Sequence, residues 1–412
     1  MNKVIAVIDL KSFYASCECA CRHLDIFTTP LVCCDPYRSS SSVVMSATPY
    51  LKKKYGIPNV CRRRDLPEVK GMIYAVPRMS YYLQMSAKVV SIFLDFVAEE
   101  DLHVYSVDES FLNLGPYLNL YHSSPEEIVR RIQKTIKEKL GLVATAGIGP
   151  NMFLAKIALD NEGKKHEPYL AHWDYDDVPS KLWSITPITK IWSIAHGTAA
   201  HLARIGIRSI YDLAHADEAL LSKEFGIMGA QLRSLANGRD ESDIETPYVP
   251  KDVSLSLGQT LRRPYEPKDA LLLLREMTDD LSNRLRSAGN LCQKVSVWAS
   301  YGEEGAFGKQ MALPLATDDS DELYEAIAEV FSYGRDLPIR GLSIAFGKLS
   351  NPEEEQISLF GNDAERLEKR SLAHSLDAIR YRYGKNSVLR CSSLLSASTI
   401  KIRHEQIGGH KQ

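Results

Sequence analysis

The chain has 412 residues, 44% of them hydrophobic and 25% charged, with a formal net charge of −2. That length excludes one ordinary domain, and the near-neutral balance does not by itself mark a nucleic-acid protein. No apolar run reaches the roughly 18–20 residues that span a bilayer, the start lacks a signal-peptide layout, and eight irregularly spaced cysteines fit reduced thiols, so a cytoplasmic protein without a membrane partner is expected.

In chain order, Val4–Ile8 is a short β-branched run that predicts a buried strand ending at Asp9. Ser12–His23 follows as a helix with Ser12 as N-cap. Cys17, Cys19 and Cys21 lack the spacing of a zinc site and read as packing thiols on that helix. Leu102–Val107 and Phe111–Leu114 are two strands joined through Asp108-Glu109-Ser110. In Pro125–Leu140 the residues Ile128, Ile132, Ile136 and Leu140 recur every four positions, and a proline opens the first turn, so a helix is predicted. Val143–Ile148 is the next strand. The order is β-α-ββ-α-β, as in ferredoxin-like folds. The stretch between the first helix and the hairpin is too long for a loop and must hold a subdomain.

Around Ile191–Leu213 two short apolar patterns flank Ala195-His196-Gly197 and Ile205-Gly206-Ile207; Gly206 and Gly226 are turn signals between helices. Asn237–Pro250 is polar and reads as a linker. Then come a strand at Val253–Thr260, a helix at Pro267–Ser287, strands at Leu291–Tyr301 and Gln310–Leu315, a helix at Ser320–Tyr333 and a strand at Pro338–Gly347. This is β-α-ββ-α-β a second time. After an acidic stretch and Gln356–Phe360, a basic helix and a loose tail are expected: residues 361–412 hold ten Lys/Arg against five Asp/Glu.

Asp9, Asp108 and Glu109 sit at strand ends, and in this sheet order the first and third strands are neighbours. Converging acids need cations. Oxygen-only ligands with room for water are magnesium chemistry, and two such ions clamp the attacking and leaving oxygens of an in-line displacement. A solvated hairpin tip or a turn residue is the bland alternative for each acid alone. Phe13 and Tyr14 follow closely, where a bulky ring beside a bound sugar would exclude a 2′-hydroxyl; aromatic core packing is the alternative. Tyr50 and Lys53 share one face of a predicted helix and suit triphosphate oxygens. Gly147-Ile148-Gly149-Pro150-Asn151 reads as a glycine-rich turn entering a helix whose start favours anions.

Together these pieces resemble the Y-family translesion DNA polymerases, in particular the UmuC/ImpB/MucB/SamB-like branch of Gram-positive bacteria. Ile8-Asp9-Leu10-Lys11-Ser12-Phe13-Tyr14-Ala15-Ser16-Cys17-Glu18 is similar to the first family motif, with Tyr14 at its steric gate. Tyr105–Leu112 resembles S-x-D-E-x-F/Y-L, and Gly147–Asp160 resembles G-I-G-x-N-x-x-L-A-K-x-A.

The resemblance implies an α+β multidomain protein. It would have a ferredoxin-like palm (1–24, 77–165), fingers (25–76), a helix-hairpin-helix thumb (166–238), a linker (239–245), a little finger (246–350) and a C-terminal tail. It implies template-directed addition of dNTPs to a primer in DNA damage tolerance and SOS mutagenesis, with two Mg2+ ions. Asp9, Asp108, Glu109 and the Leu10 carbonyl would be the metal ligands. Phe13, Tyr14, Tyr50, Lys53 and Lys164 would meet the dNTP, with Gly163 standing where the family has a lysine. Ile194 and Gly197 would lie at the DNA-holding hairpin, where Ile194-Ala195-His196-Gly197 replaces the usual G-I-G. Gln356, Leu359 and Phe360 resemble the Q-L-S-L-F peptide that docks bacterial polymerases on the sliding clamp. The expected partners are primer-template DNA, dNTP and that clamp, around a monomer working at the nucleoid. Two rivals remain: a palm-type cyclase, and a catalytically silent DNA-binding protein of the damage response.

Overall fold

The structure, a computed structural model, describes residues 3–37, 40–246, 250, 253–352 and 363–411. It divides into two compact units, Met1–Pro247 and Tyr248–Lys411.

In the first unit the strand Ile5–Leu10 is central to a five-stranded sheet. It pairs antiparallel with Glu109–Asn113 on one side and Ala144–Gly149 on the other. Leu102–Val104 extends one edge, and Leu170–His172, a strand the sequence pattern does not signal, extends the other in parallel. The strand runs through Asp9, one residue past its expected end. The register sets Asp9 opposite Glu109. Because side chains alternate between faces, Ile5, Val7 and Asp9 share a face with Glu109 and Phe111. Ile5, Val7 and Phe111 pack there against Met152, Ala155 and Leu159.

The helix Pro125–Leu140 has the predicted bounds for a local reason. Ser124 and Glu127 form a reciprocal capping box, and Gly141 closes the other end at φ 70°. Its Ile128, Ile132 and Ile136 are fully buried. The first helix is shorter than expected, Phe13–Ala20. Ser12 stands at its N-cap position but is left-handed, at φ 50°, and its side chain caps nothing.

Cys17 and Cys19 are packing thiols on that helix, while Cys21 at its end is exposed. Beside them Glu18 is wholly buried, with its carboxylate gripped by Arg78 Nε and Nη2 at 2.9 Å each, by Tyr82 Oη at 2.7 Å, and by Arg22. Burial pushes this carboxyl up, but the hydrogen bonds from Arg78, Tyr82 and Arg22 outweigh it and hold it below its ordinary value. The stability it contributes is therefore present above about pH 4.5 and lost as pH falls through the folded value. Glu18→Ala leaves the guanidinium and the phenol without their acceptor, and is expected to cost about 3–5 kcal/mol in urea unfolding. A loss below 1 kcal/mol would mean that the cluster is effectively solvated.

The segment between helix and hairpin does carry its own small sheet, Leu31–Cys33 flanked by Ser46–Ala47 and Ile73–Ala75, with helix Pro49–Tyr55 packed on it through Leu51. Helix Met79–Leu94 then returns to pack on Pro125–Leu140. Further along, helices His196–Arg204, Ile210–His215, Glu218–Phe225 and Ile227–Ala236 surround a separate core. Short turns precede them, Tyr175–Asp177, Val178–Leu182 and Ile188–Lys190.

The polar stretch read as a linker is not free over residues 238–245. Gly238 accepts from Asn151 at 2.8 Å, Asp243 pairs with Lys3 at 3.0 Å, Glu245 accepts from Asn113 at 3.2 Å, and Ile244 packs against the sheet-and-helix cluster. Side-chain anchors spaced along a polar segment make it a strap, which composition alone does not reveal.

The second unit repeats β-α-ββ-α-β. Its sheet runs Leu255–Tyr265, Ile339–Ser350, Leu291–Ser300, Ala306–Thr317, and helices Pro267–Ser287 and Ser320–Ser332 cover one face. The tail expected to be loose is folded onto this unit. Within helix Asp363–Tyr383, Asp377 receives Arg286 at 2.7 Å, and beyond the helix Arg390 meets Asp279 at 2.7 Å and Arg403 meets Asp280 at 2.8 Å. Two of its arginines, Arg390 and Arg403, are thus paired with acids of helix Pro267–Ser287. Among the described residues, no helix is long and apolar enough to cross a membrane.

Candidate active site

The end of the first strand carries Asp9, and the turn before Glu109 carries Asp108. The Leu10 amide donates to the Asp108 carbonyl at 2.9 Å, which brings that turn beside Asp9. Ser106 Oγ donates to Asp108 Oδ1 at 2.8 Å and fixes the turn from within. Asp9 and Glu109 therefore face each other at one end of the sheet, on the face covered by helix Met152–Ala158, with the turn that carries Asp108 beside Asp9.

Cations meet them there. The helix continues through a wider π-type turn, Leu159–Gly163, so Lys156 and Lys164 reach the acids while Asp160, midway between them, pairs with both lysines. Lys156 Nζ lies 2.7 Å from Glu109 Oε1 and 2.8 Å from Oε2, and 3.3 Å from Asp160. Lys164 Nζ lies 3.0 Å from Asp9 and 2.9 Å from Asp160. Burial raises the Asp9 carboxyl above its ordinary value, with Lys164 opposing and Asp108 adding to the rise. Glu109 is raised in the same way, with Lys156 opposing. Burial works against a charged Lys164, but Asp9 and Asp160 outweigh it, and its pKa is raised.

Lys156 and Asp160 were not among the candidates read from the sequence, although their spacing of four toward Lys164 was a usable signal. Gly163 explains the register. A Cβ there would strike the Ala146 carbonyl oxygen, so the position admits no side chain and the lysine falls at 164. Gly147 and Gly149 likewise lie in the strand, not in a helix-start turn. A Cβ on Gly147 would strike the Ala155 carbonyl, so these glycines let the helix close onto the sheet. The helix start is not open to an anion either: Asn151 Oδ1 accepts from the Leu154 amide at 2.8 Å and Asp240 from the Phe153 amide at 3.0 Å.

Of the two candidate rings, Phe13 is 2% exposed and its side chain is core. Tyr14 is half-buried, 5.0 Å from the Tyr82 ring, and close enough to Asp108 that burial and that charge both raise its hydroxyl pKa. Tyr50 accepts a hydrogen bond from Lys54 at 2.9 Å. Lys53 is exposed; the half-buried lysine of this run is Lys52, whose pKa is lowered by burial while Asp9 opposes and Lys164 adds. The helix thus turns Lys52, not Lys53, into the field of Asp9. Ile194 is buried in the helical core and Gly197 is exposed in the first turn of His196–Arg204. Gln356, Leu359 and Phe360 lie outside the described residues.

The impB/mucB/samB family model matches residues 8–160, and the model of that family's C-terminal domain matches residues 253–359. UvrX of Bacillus subtilis, named as a UV-damage repair protein, is 34% identical across 100% of this chain and 98% of its own length. DNA polymerase IV 2 of the same organism is 31% identical across 99% of each chain. A solved Y-family DNA polymerase chimera of Dbh and Dpo4 shares the fold, with a TM-score of 0.69 over 84% of this chain and 99% of that one, at 20% identity. With a carboxylate-and-lysine site on such a sheet and full-length relatives of this kind, the chain belongs to the impB/mucB/samB family of Y-family DNA polymerases.

Proposed function

We propose that the protein is an error-prone translesion polymerase that adds dNTPs to a primer 3′-hydroxyl on damaged templates. The observation that carries this reading is the meeting of Asp9 and Glu109 with Lys164 and Lys156, with the Asp108 turn bonded beside Asp9. In this reading residues 1–24 and 77–165 act as palm, 25–76 as fingers, 166–238 as thumb and 246–350 as little finger.

The donor chemistry of these residues suits a pair of Mg2+ ions, while among the described residues no three acids are grouped as a metal site. The donor set is all oxygen, and Lys156 and Lys164 now hold the Glu109 and Asp9 carboxylates that would ligate the ions. Asp9, Asp108, Glu109 and the Leu10 carbonyl would hold the ions. When bound, they would activate the 3′-hydroxyl and neutralise the leaving pyrophosphate. Lys156 and Lys164 balance Glu109 and Asp9, and with those carboxylates engaged by metal Lys164 would be available to a triphosphate oxygen. Lys52 lies in the field of Asp9, Tyr50 on the same helix is assigned to the triphosphate with it, and Tyr14 is assigned as the ring that would face a sugar. Work in DNA damage tolerance is supported by the likeness to a relative named for UV-damage repair, and SOS mutagenesis by a monomer in the cytoplasm at the nucleoid belongs to the same proposal.

Incubation with primer-template, dNTPs and Mg2+ tests the reading: elongated primer is expected, and conversion of nucleotide to a cyclic product without primer would replace it by a cyclase.

Gln356-Ile357-Ser358-Leu359-Phe360 is proposed as a clamp-docking peptide. Tethering raises the local concentration of enzyme at the primer end. Replacing Gln356, Leu359 and Phe360 by Ala is expected to leave unassisted synthesis on short primers unchanged and to remove stimulation by the sliding clamp. Full stimulation of the triple variant would contradict the assignment.

A further inference from the structure

Trp192 is used neither by the carboxylate site nor by any family motif quoted above, yet it touches the turn that carries Asp108. It follows the 3-10 turn Ile188–Lys190 and precedes Ser193, at φ 78°, and helix His196–Arg204. Its indole lies 5.9 Å from the Tyr105 ring at 83°, and 6.2 Å from the Phe111 ring at 29°. Tyr105 meets Phe111 edge-on at 5.8 Å. Phe111 is fixed in the core strand, so Tyr105 is held between an immobile ring and an indole from another part of the unit.

Tyr105 also begins the turn itself. The amides of Tyr105 and Ser106 both donate to the Glu109 carbonyl at 3.0 Å, and Ser106 Oγ holds Asp108. From the indole to the carboxylate the path is one ring contact, one peptide unit and one hydrogen bond. Two residues beyond Trp192 begins the segment read above as the DNA-holding hairpin.

We propose that Trp192 is a positioning residue that couples DNA held by the helical segment to the placement of Asp108. The proposal rests on the reading of that segment as a DNA-binding thumb. Without DNA the indole braces Tyr105 only as firmly as its own segment is ordered. DNA that orders the segment steadies the ring, the turn and the carboxylate in sequence. Removing the indole breaks the first contact and leaves the carboxylates, the lysines and the hairpin amides intact.

Amide hydrogen exchange at Tyr105 and Ser106, in the full chain with and without primer-template and with no nucleotide or metal, tests this directly. In the parent, bound DNA is expected to slow both amides. In Trp192→Ala they are expected to exchange about tenfold faster, equivalent to losing roughly 1.4 kcal/mol of local stability, and bound DNA no longer slows them. Trp192→Phe restores most of the protection. Amides of helix Pro125–Leu140 serve as the control for folding; if they accelerate as much in Trp192→Ala, the indole is only packing and the proposal fails. Equal protection by DNA in Trp192→Ala and in the parent overturns it outright. A parent that binds DNA without slowing these amides overturns the coupling and leaves the polymerase reading standing. A parent that does not bind primer-template at all overturns the polymerase reading and the coupling with it.

Discussion

Asp108→Ala is expected to lower primer extension by on the order of 10³-fold or more, the size of loss seen when a preorganised electrostatic group is removed from a reacting centre. The variant is a clean one. Among the described residues the Asp108 carboxylate is hydrogen-bonded to Ser106 of its own turn, so its loss leaves no buried partner without a match. Glu109→Ala should be equally inactive but less clean. It strands Lys156, whose side chain is only 9% exposed, with Asp160 alone as counter-charge. Glu109→Gln keeps the volume and some of the hydrogen bonding and separates lost chemistry from lost stability. In both positions affinity for primer-template should stay within a few-fold of the parent, because backbone and phosphate contacts elsewhere supply the grip. Filter binding or anisotropy checks that half of the expectation. An Asp108→Ala enzyme that still extends primers near the parent rate would remove the carboxylates from the chemistry.

Tyr14→Ala is expected to raise the ratio of ribonucleotide to deoxyribonucleotide incorporation by about 100-fold, the discrimination a packed apolar wall achieves against one added hydroxyl. The ring is placed for such a role: it leans on Tyr82, which Glu18 and Cys33 hold by its hydroxyl, and it neighbours Asp108. A wall discriminates only if it cannot retreat, and Tyr82 stands behind it. dNTP incorporation should fall by much less than the gain in ribonucleotide use, since the substitution leaves the carboxylates and lysines untouched. Single-nucleotide insertion with rNTP and dNTP in separate reactions measures both. A fixed ratio at normal dNTP activity would make Tyr14 a packing residue like Phe13.

Local signals carried most of what was legible in the sequence. The bounds of Pro125–Leu140 followed from a four-residue apolar period between a capping box and a glycine, all contained in its own segment. The three acids stood out because strand ends and a hairpin tip are positions that a sheet order converts into neighbours. What was not legible depends on partners far along the chain. The rotation of helix Pro49–Tyr55 is set by Leu51 entering the core of its small sheet, so a run of three lysines does not show that Lys52 is the one turned inward. The basic tail has its partners in Asp279 and Asp280, more than a hundred residues upstream, and no count of charges reveals that pairing. Gly147 and Gly149 punctuate a turn in the sequence, while the backbone of a following helix uses the space they leave. Ser12 is a good capping residue by type, and its left-handed backbone withholds the cap.

Insertion opposite a defined lesion, with each dNTP supplied alone alongside the undamaged template, tests the central claim most directly. The account predicts that the parent, with Mg2+, extends the primer past the lesion with template-dependent choice of nucleotide on the undamaged strand, and that Asp108→Ala does neither while still binding the DNA. Primer that stays unextended on both templates with DNA bound and Mg2+ present, or extension that persists without Asp108, would contradict it.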